Sequence, residues 1–126
     1  MTEPLLLRQK SYIDGRWIDA PDGRTDLIRN PATGEAVGSV PVLGADETRA
    51  AIAAAERALP AWRARTAKDR AALLRRWFEL VLAHQEDLAL LMVAEQGKPL
   101  AEARGEIQYA ASFIEWYAEE AKRTYG

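Results

Sequence analysis

An α+β fold, with short β-hairpins in front and a helical bundle behind, follows from three observations on this sequence. Two turn signals, Asp14-Gly15 and Asn30-Pro31-Ala32-Thr33-Gly34, each sit between short runs that suit strands. From about residue 45 onward, apolar residues recur at i, i+3 and i+4, the spacing of one helix face. Gly97-Lys98-Pro99 then separates two long helical patterns, which reads as helix, tight turn, helix. The expected layout is hairpins over about residues 10–41 and helices over about residues 45–125.

Residues 1–10 carry no strong pattern and are expected to form a lead-in. Residues 10–13 and 16–19 should pair around Asp14-Gly15, the dipeptide most favoured in a two-residue type I′ turn. Residues 20–25, with Pro21 and Asp22-Gly23, read as a loop. Residues 27–29 and 36–40 form the second strand pair. A two-stranded hairpin is marginal alone in water, so both need something to pack against.

Gly44 is expected to cap the first helix, with Asp46 and Glu47 in a first turn whose positive dipole end favours carboxylates. Ala51, Ile52, Ala55, Ala58 and Leu59 give that helix one narrow apolar face, a thin stripe that implies close packing against another element. Pro60 is expected to end it, leaving Trp62 in a short connection. Thr66 and Asp69 have the spacing of a capping box, with Asp in place of the usual Glu or Gln. Leu73, Leu74, Trp77, Phe78, Val81 and Leu82 predict a wide buried face on the next helix. A brief break is expected near His84, after which Leu88, Leu91 and Met92 lead to Gly97. That position wants a positive φ, which glycine adopts without steric cost. Pro99 suits the first turn of a last helix running from 99 to about 124. This helix carries two stripes: Ile107, Ala111, Ile114, Ala118 and Ala121 on one side, and Tyr109, Phe113 and Trp116 on another. Two stripes need cover on more than one side, so part of this surface is expected to meet further chain.

Composition narrows the function classes. The 126 residues suit one domain or a piece of a larger one. A net charge of −2 disfavours a nucleic-acid partner, which needs a basic excess. There is no cysteine, so disulfides and thiolate chemistry are excluded within this chain. No apolar run approaches the ~20 residues that span a bilayer, so no membrane partner is expected. The short apolar patch before Arg8 has no basic stretch in front of it, and a cytoplasmic location is the expectation.

Several motifs resolve to ordinary roles. Gly97-Lys98-Pro99 is no phosphate loop, because Met92 and Pro99 stand where a glycine and a Ser or Thr are required. His84, the one histidine, lacks both a nucleophile placed beside it and companion metal ligands. Arg63, Arg65, Lys68, Arg70, Arg75 and Arg76 read as a solvated or salt-bridged helix face. Glu102/Glu106 and Glu115/Glu119 stand at i, i+4; acid–base work would need them buried with separated pKa values.

Glu95-Gln96-Gly97-Lys98-Pro99-Leu100, followed by Glu102-Ala103 and Glu106-Ile107, resembles the N-terminal region of the aldehyde dehydrogenase superfamily. Tyr12-Ile13-Asp14-Gly15-Arg16-Trp17, Asn30-Pro31-Ala32-Thr33-Gly34-Glu35 and Asp69-Arg70-Ala71 before Leu73-Leu74-Arg75 agree in order and spacing. The closing run from Tyr109 to Glu120 is similar to the succinate-semialdehyde dehydrogenase branch. The resemblance covers the chain from about Leu7 onward and roughly the first quarter of a family member. It implies a piece of the α/β aldehyde dehydrogenase fold: the N-terminal part of the cofactor-binding domain, without the catalytic domain. The implied parent oxidises succinate semialdehyde with NADP or NAD in 4-aminobutanoate breakdown, through a cysteine thiolate, and assembles as a homo-oligomer. No catalytic or cofactor-binding residue falls within this chain, so the chain alone is expected neither to bind the cofactor nor to be active. Its implied partner is the remainder of the enzyme. The resemblance places Tyr109, Phe113 and Glu106 at the entrance of the substrate tunnel, with an aromatic core stripe as the alternative for the rings. It also places the backbone of Ile28 and the carboxylate of Glu95 beside a structural monovalent cation. A free-standing helical interaction module, or another branch of the same superfamily, is the competing reading.

Overall fold

Asp14 and Gly15 both take positive φ, 52° and 76°, the type I′ geometry expected between the first two strands. The computed structural model describes residues 6–124, so the first part of the lead-in and residue 125 lie outside them. The last helix ends at Glu120, short of the expected 124, because the chain tightens into i→i−3 turns, with the Lys122 N–H on the Glu119 carbonyl and the Arg123 N–H on that of Glu120. Strand β1 (Ser11–Ile13) pairs antiparallel with β2 (Arg16–Ile18), and β3 (Thr25–Arg29) with β4 (Ala36–Pro41), as two separate two-stranded sheets. The second ladder shifts register between Ile28 and Arg29, where Val37 has no residue opposite. Its turn is fixed by Asn30, whose side-chain oxygen accepts from the Ala32 N–H at 2.9 Å while its carbonyl accepts from the Gly34 N–H at 2.8 Å.

Four helices follow: α1 (Ala45–Ala64), α2 (Ala67–Ala83), α3 (Gln85–Gln96) and α4 (Leu100–Glu120). Gly44 caps α1 and the Glu47 carboxylate reaches back to its N–H at 2.8 Å. Pro60 does not end α1; it lies inside the helix, and Trp62 is helical. The ring removes one hydrogen bond, to the carbonyl of Glu56, but both residues are exposed, so water can satisfy the freed carbonyl and the helix runs another turn. Pro99 is also displaced by one position: at φ −57° and ψ 138° it is the cap, and α4 begins at Leu100.

Thr66 caps α2 as its spacing predicts, accepting from the Asp69 N–H at 3.1 Å and donating its hydroxyl to the Asp69 carboxylate at 2.7 Å. The shorter Asp side chain takes the hydroxyl rather than the cap N–H, so only half of a capping box forms. Thr66→Ala is expected to cost about 1 kcal/mol in a urea denaturation, and Thr66→Ser about none. A loss equal for both variants would assign the effect to the methyl group instead. His84 sits at the expected break, with its N–H on the Leu80 carbonyl at 3.1 Å and its own carbonyl accepting from Leu88.

The core is a seam of small residues. Ala89 and Ala103, fully buried, meet Ile107 where α3 crosses α4, with Val81, Leu88, Met92, Val93 and Leu100 packed around them. Ala71, Ala111 and Ala118 are buried too, which places the first stripe of α4 against α2 and α3. Side chains this small let helix axes approach closely. The wide buried face expected on α2 is only partly realised: Leu74, Phe78 and Val81 are half-buried, but Leu73, Trp77 and Leu82 are exposed. One helix, α4, covers one stripe of α2 and no more. The apolar face of α1 likewise stays open among the described residues: α1 touches β1, and none of its residues is buried.

Candidate functional site

The residues singled out by sequence collect at two places: the outward face of α4 and the elbow where α3 turns into α4. On α4, burial of Ala103, Ile107 and Ala111 against the other helices turns the opposite face outward. Tyr109 and Phe113, one turn apart there, meet edge to face with ring centroids 4.9 Å apart. They are 65% and 48% exposed, so the core-stripe alternative is not met within this chain. Trp116 and Tyr117, each 62% exposed, continue the face and with Phe113, Glu115 and Arg123 line an open depression. Tyr117 is not among the sequence candidates, although its i+4 spacing from Phe113 is the signal that finds it.

Glu106 does not stand among these rings as a free carboxylate; it is ion-paired with Lys98, across the start of α4. The pair ties the elbow to the helix. Next to it, Arg104 places two nitrogens on the Glu86 carboxylate, both at 2.7 Å, while Gln85 donates to the Arg104 carbonyl at 3.0 Å. The hydrogen bonds from Arg104 hold the Glu86 carboxyl below its usual range, and those to Glu86 raise the Arg104 guanidinium. Arg75 spans Glu79 and Glu115, both at 3.0 Å, and Arg70 donates to the carbonyls of Arg63 and Arg65. The basic run is therefore partly salt-bridged, partly capping and otherwise solvated. Glu102, Glu106, Glu115 and Glu119 are not buried as an acid–base pair would require.

At the elbow, Gly97 has φ 72° and ψ 15° and closes its N–H on the Val93 carbonyl at 2.9 Å. A Cβ at this position would lie 2.9 Å from Cγ of Pro31, so the Asn30–Gly34 turn packs directly on the glycine. Glu95, exposed, is in the last turn of α3; Ile28, half-buried, is in β3, which contacts α3. Among the described residues no cluster of three or more His, Cys, Asp or Glu forms a metal centre, and no helix is long and apolar enough to cross a membrane.

The profile of the aldehyde dehydrogenase family matches residues 17–126. Over 121 residues the chain is 67% identical to glutarate-semialdehyde dehydrogenase of Pseudomonas putida, covering 96% of this chain and 25% of that protein. It is 66% identical, with the same coverage, to the NADP(+) succinate-semialdehyde dehydrogenase of Escherichia coli. The solved succinate-semialdehyde dehydrogenase of Burkholderia pseudomallei superposes with a TM-score of 0.94 at 59% identity, over 100% of this chain and 26% of that one. The chain thus spans about a quarter of the length of the curated relatives it matches. Two hairpins followed by four helices are the N-terminal part of that fold. The chain belongs to the aldehyde dehydrogenase family.

Proposed function

We propose that this chain is the N-terminal part of the cofactor-binding domain of an NAD(P)-dependent semialdehyde dehydrogenase, which oxidises an aldehyde bearing a distal carboxylate, such as succinate or glutarate semialdehyde, to the acid. The observation that carries this reading is the aromatic face of α4. Four large rings point outward from a helix whose other side is firmly packed, an arrangement that leaves apolar surface for further chain and for substrate to meet. With no cysteine in the sequence, the thiolate that attacks the aldehyde belongs to the remainder of the enzyme, and this chain alone is not catalytic. NADP or NAD, bound by that remainder, supplies the hydride acceptor. What these residues contribute is a wall: Tyr109 and Phe113 lie along the route of the aldehyde's methylene chain and exclude water from it, while the Lys98–Glu106 pair holds the start of α4 in place.

In the full-length enzyme, Tyr109→Ala and Phe113→Ala are each expected to raise KM for the semialdehyde about 3–10-fold with kcat nearly unchanged, the pattern of lost uniform binding. Steady-state kinetics over a substrate series checks this. An unchanged KM in both variants would overturn the tunnel role. The Ile28 carbonyl and the Glu95 carboxylate are further proposed to hold a monovalent cation at the junction of β3 and α3. Both are hard oxygen donors, and they come from elements in contact, β3 with its ladder broken beside Ile28 and the last turn of α3.

A further inference from the structure

We infer that Gly105 sets the length of aldehyde the enzyme accepts: the side chain it lacks leaves a notch beside Tyr109 with room for the added methylene of a longer carboxy-aldehyde. The inference rests on the tunnel role proposed for Tyr109 and Phe113. Among the described residues, Gly105 is the one glycine inside a helix, well within α4. Glycine is the poorest helix former after proline, because it loses the most backbone freedom on folding. A glycine in such a place needs a reason.

The ordinary reasons are absent within the described residues. Gly105 is not among the glycines with positive φ, so its backbone does not require it. Apart from its chain neighbours and the helix's own backbone, nothing lies within 4 Å of where its Cβ would stand, so no close approach requires it either. Nor does it belong to the seam: Ala103, Ile107 and Ala111 carry the buried side of α4, and Gly105 is exposed. What is left is the outward face. Gly105 stands one turn before Tyr109 on that face. The Tyr109 ring packs on Phe113, one turn later, and leaves the space over Gly105 open. The wall thus has relief, two rings and a hollow in line with them. A methylene chain lying along the rings fills such a hollow, and an apolar site discriminates a single methylene by about 10-fold or more. Further chain pressed on the helix backbone is the other occupant that would demand a glycine, and it forecasts the opposite effect on stability.

The full-length enzyme tests this, by steady-state kinetics with succinate and glutarate semialdehydes, which differ by one methylene, and by thermal unfolding. Gly105→Ala is expected to raise KM for glutarate semialdehyde about 3–10-fold and to change that for succinate semialdehyde less than about 2-fold. Its Tm should be unchanged or higher, since alanine is the better helix former. Gly105→Leu should widen the gap between the two aldehydes, and Gly105→Ala carries the test if the leucine variant does not fold. A ratio of kcat/KM between the two aldehydes that neither variant shifts, while Tyr109→Ala still raises KM, would overturn the notch and leave the tunnel standing. A lower Tm in Gly105→Ala with that ratio unchanged would assign the glycine to packing of further chain and overturn the notch as well. An unchanged KM in both Tyr109→Ala and Phe113→Ala would overturn the tunnel role and the notch with it.

Discussion

Gly97→Ala should lower the stability of the protein by about 2–4 kcal/mol, the largest loss expected from adding a single methyl group in this chain. Two costs combine. An L-residue at φ 72° pays about 1–2 kcal/mol for its left-handed backbone. The new Cβ also meets the Pro31 ring at 2.9 Å, and overpacking of that kind adds about 1–2 kcal/mol where the neighbour is held in a bonded turn. The two are separable by a double-mutant cycle. Pro31→Ala in the Gly97→Ala background should recover the steric part and leave the backbone part. Gly97→Asn should reduce the backbone part, because asparagine tolerates this region better. Urea denaturation reads each value. Additive losses from Gly97→Ala and Pro31→Ala would mean that the ring and the glycine are not in contact in solution.

Ala103→Leu is the second large effect, about 2–3 kcal/mol or a loss of cooperative folding. Ala103 is closed off from solvent on every side, with Ala89, also fully buried, in the same cluster. The larger side chain cannot be placed there without moving α3 away from α4. A shift of α4 would then also carry the Tyr109 face with it. Ala89→Gly in the same protein should relieve only part of the strain, because helix propensity falls by about 1 kcal/mol at the new glycine. Ala110, on the exposed side of the same helix, is the control: Ala110→Leu should be nearly neutral. A similar cost at both positions, read by urea denaturation, would argue against a tight seam.

Local chemistry made much of this structure legible in the sequence. Asp14-Gly15, Asn30, Thr66 and Gly97 each announce a backbone geometry that few other residues adopt, and each is found in it. What periodicity could not give was which apolar face is covered. Leu73, Trp77 and Leu82 sit at core spacing on α2 and yet are exposed, because burial depends on how many elements reach a face, and α4 alone packs extensively on this helix. Pro60 misled in the opposite direction. Its cost is one hydrogen bond on a solvated face, too little to stop a helix with good formers on both sides. Of the site, Tyr109 and Phe113 were visible as a stripe, and Glu106 as a carboxylate. Its partner Lys98 was not, since an ion pair across a turn and a helix start leaves no periodic trace.

Among the described residues, the hairpins meet the helices at few points, chiefly Arg57 on Asp14 at 3.1 Å and the Pro31 ring on Gly97. That sparseness sets a hierarchy of amide hydrogen exchange. Protons of α2 and α4 flanking the alanine seam can exchange only when the bundle opens, and should be the slowest in the chain. Those of β1 and β2 need only a two-stranded ribbon to part, and should exchange orders of magnitude sooner. The Asn30–Gly34 turn should fall between the two, because its release requires the elbow to let go of Pro31 first.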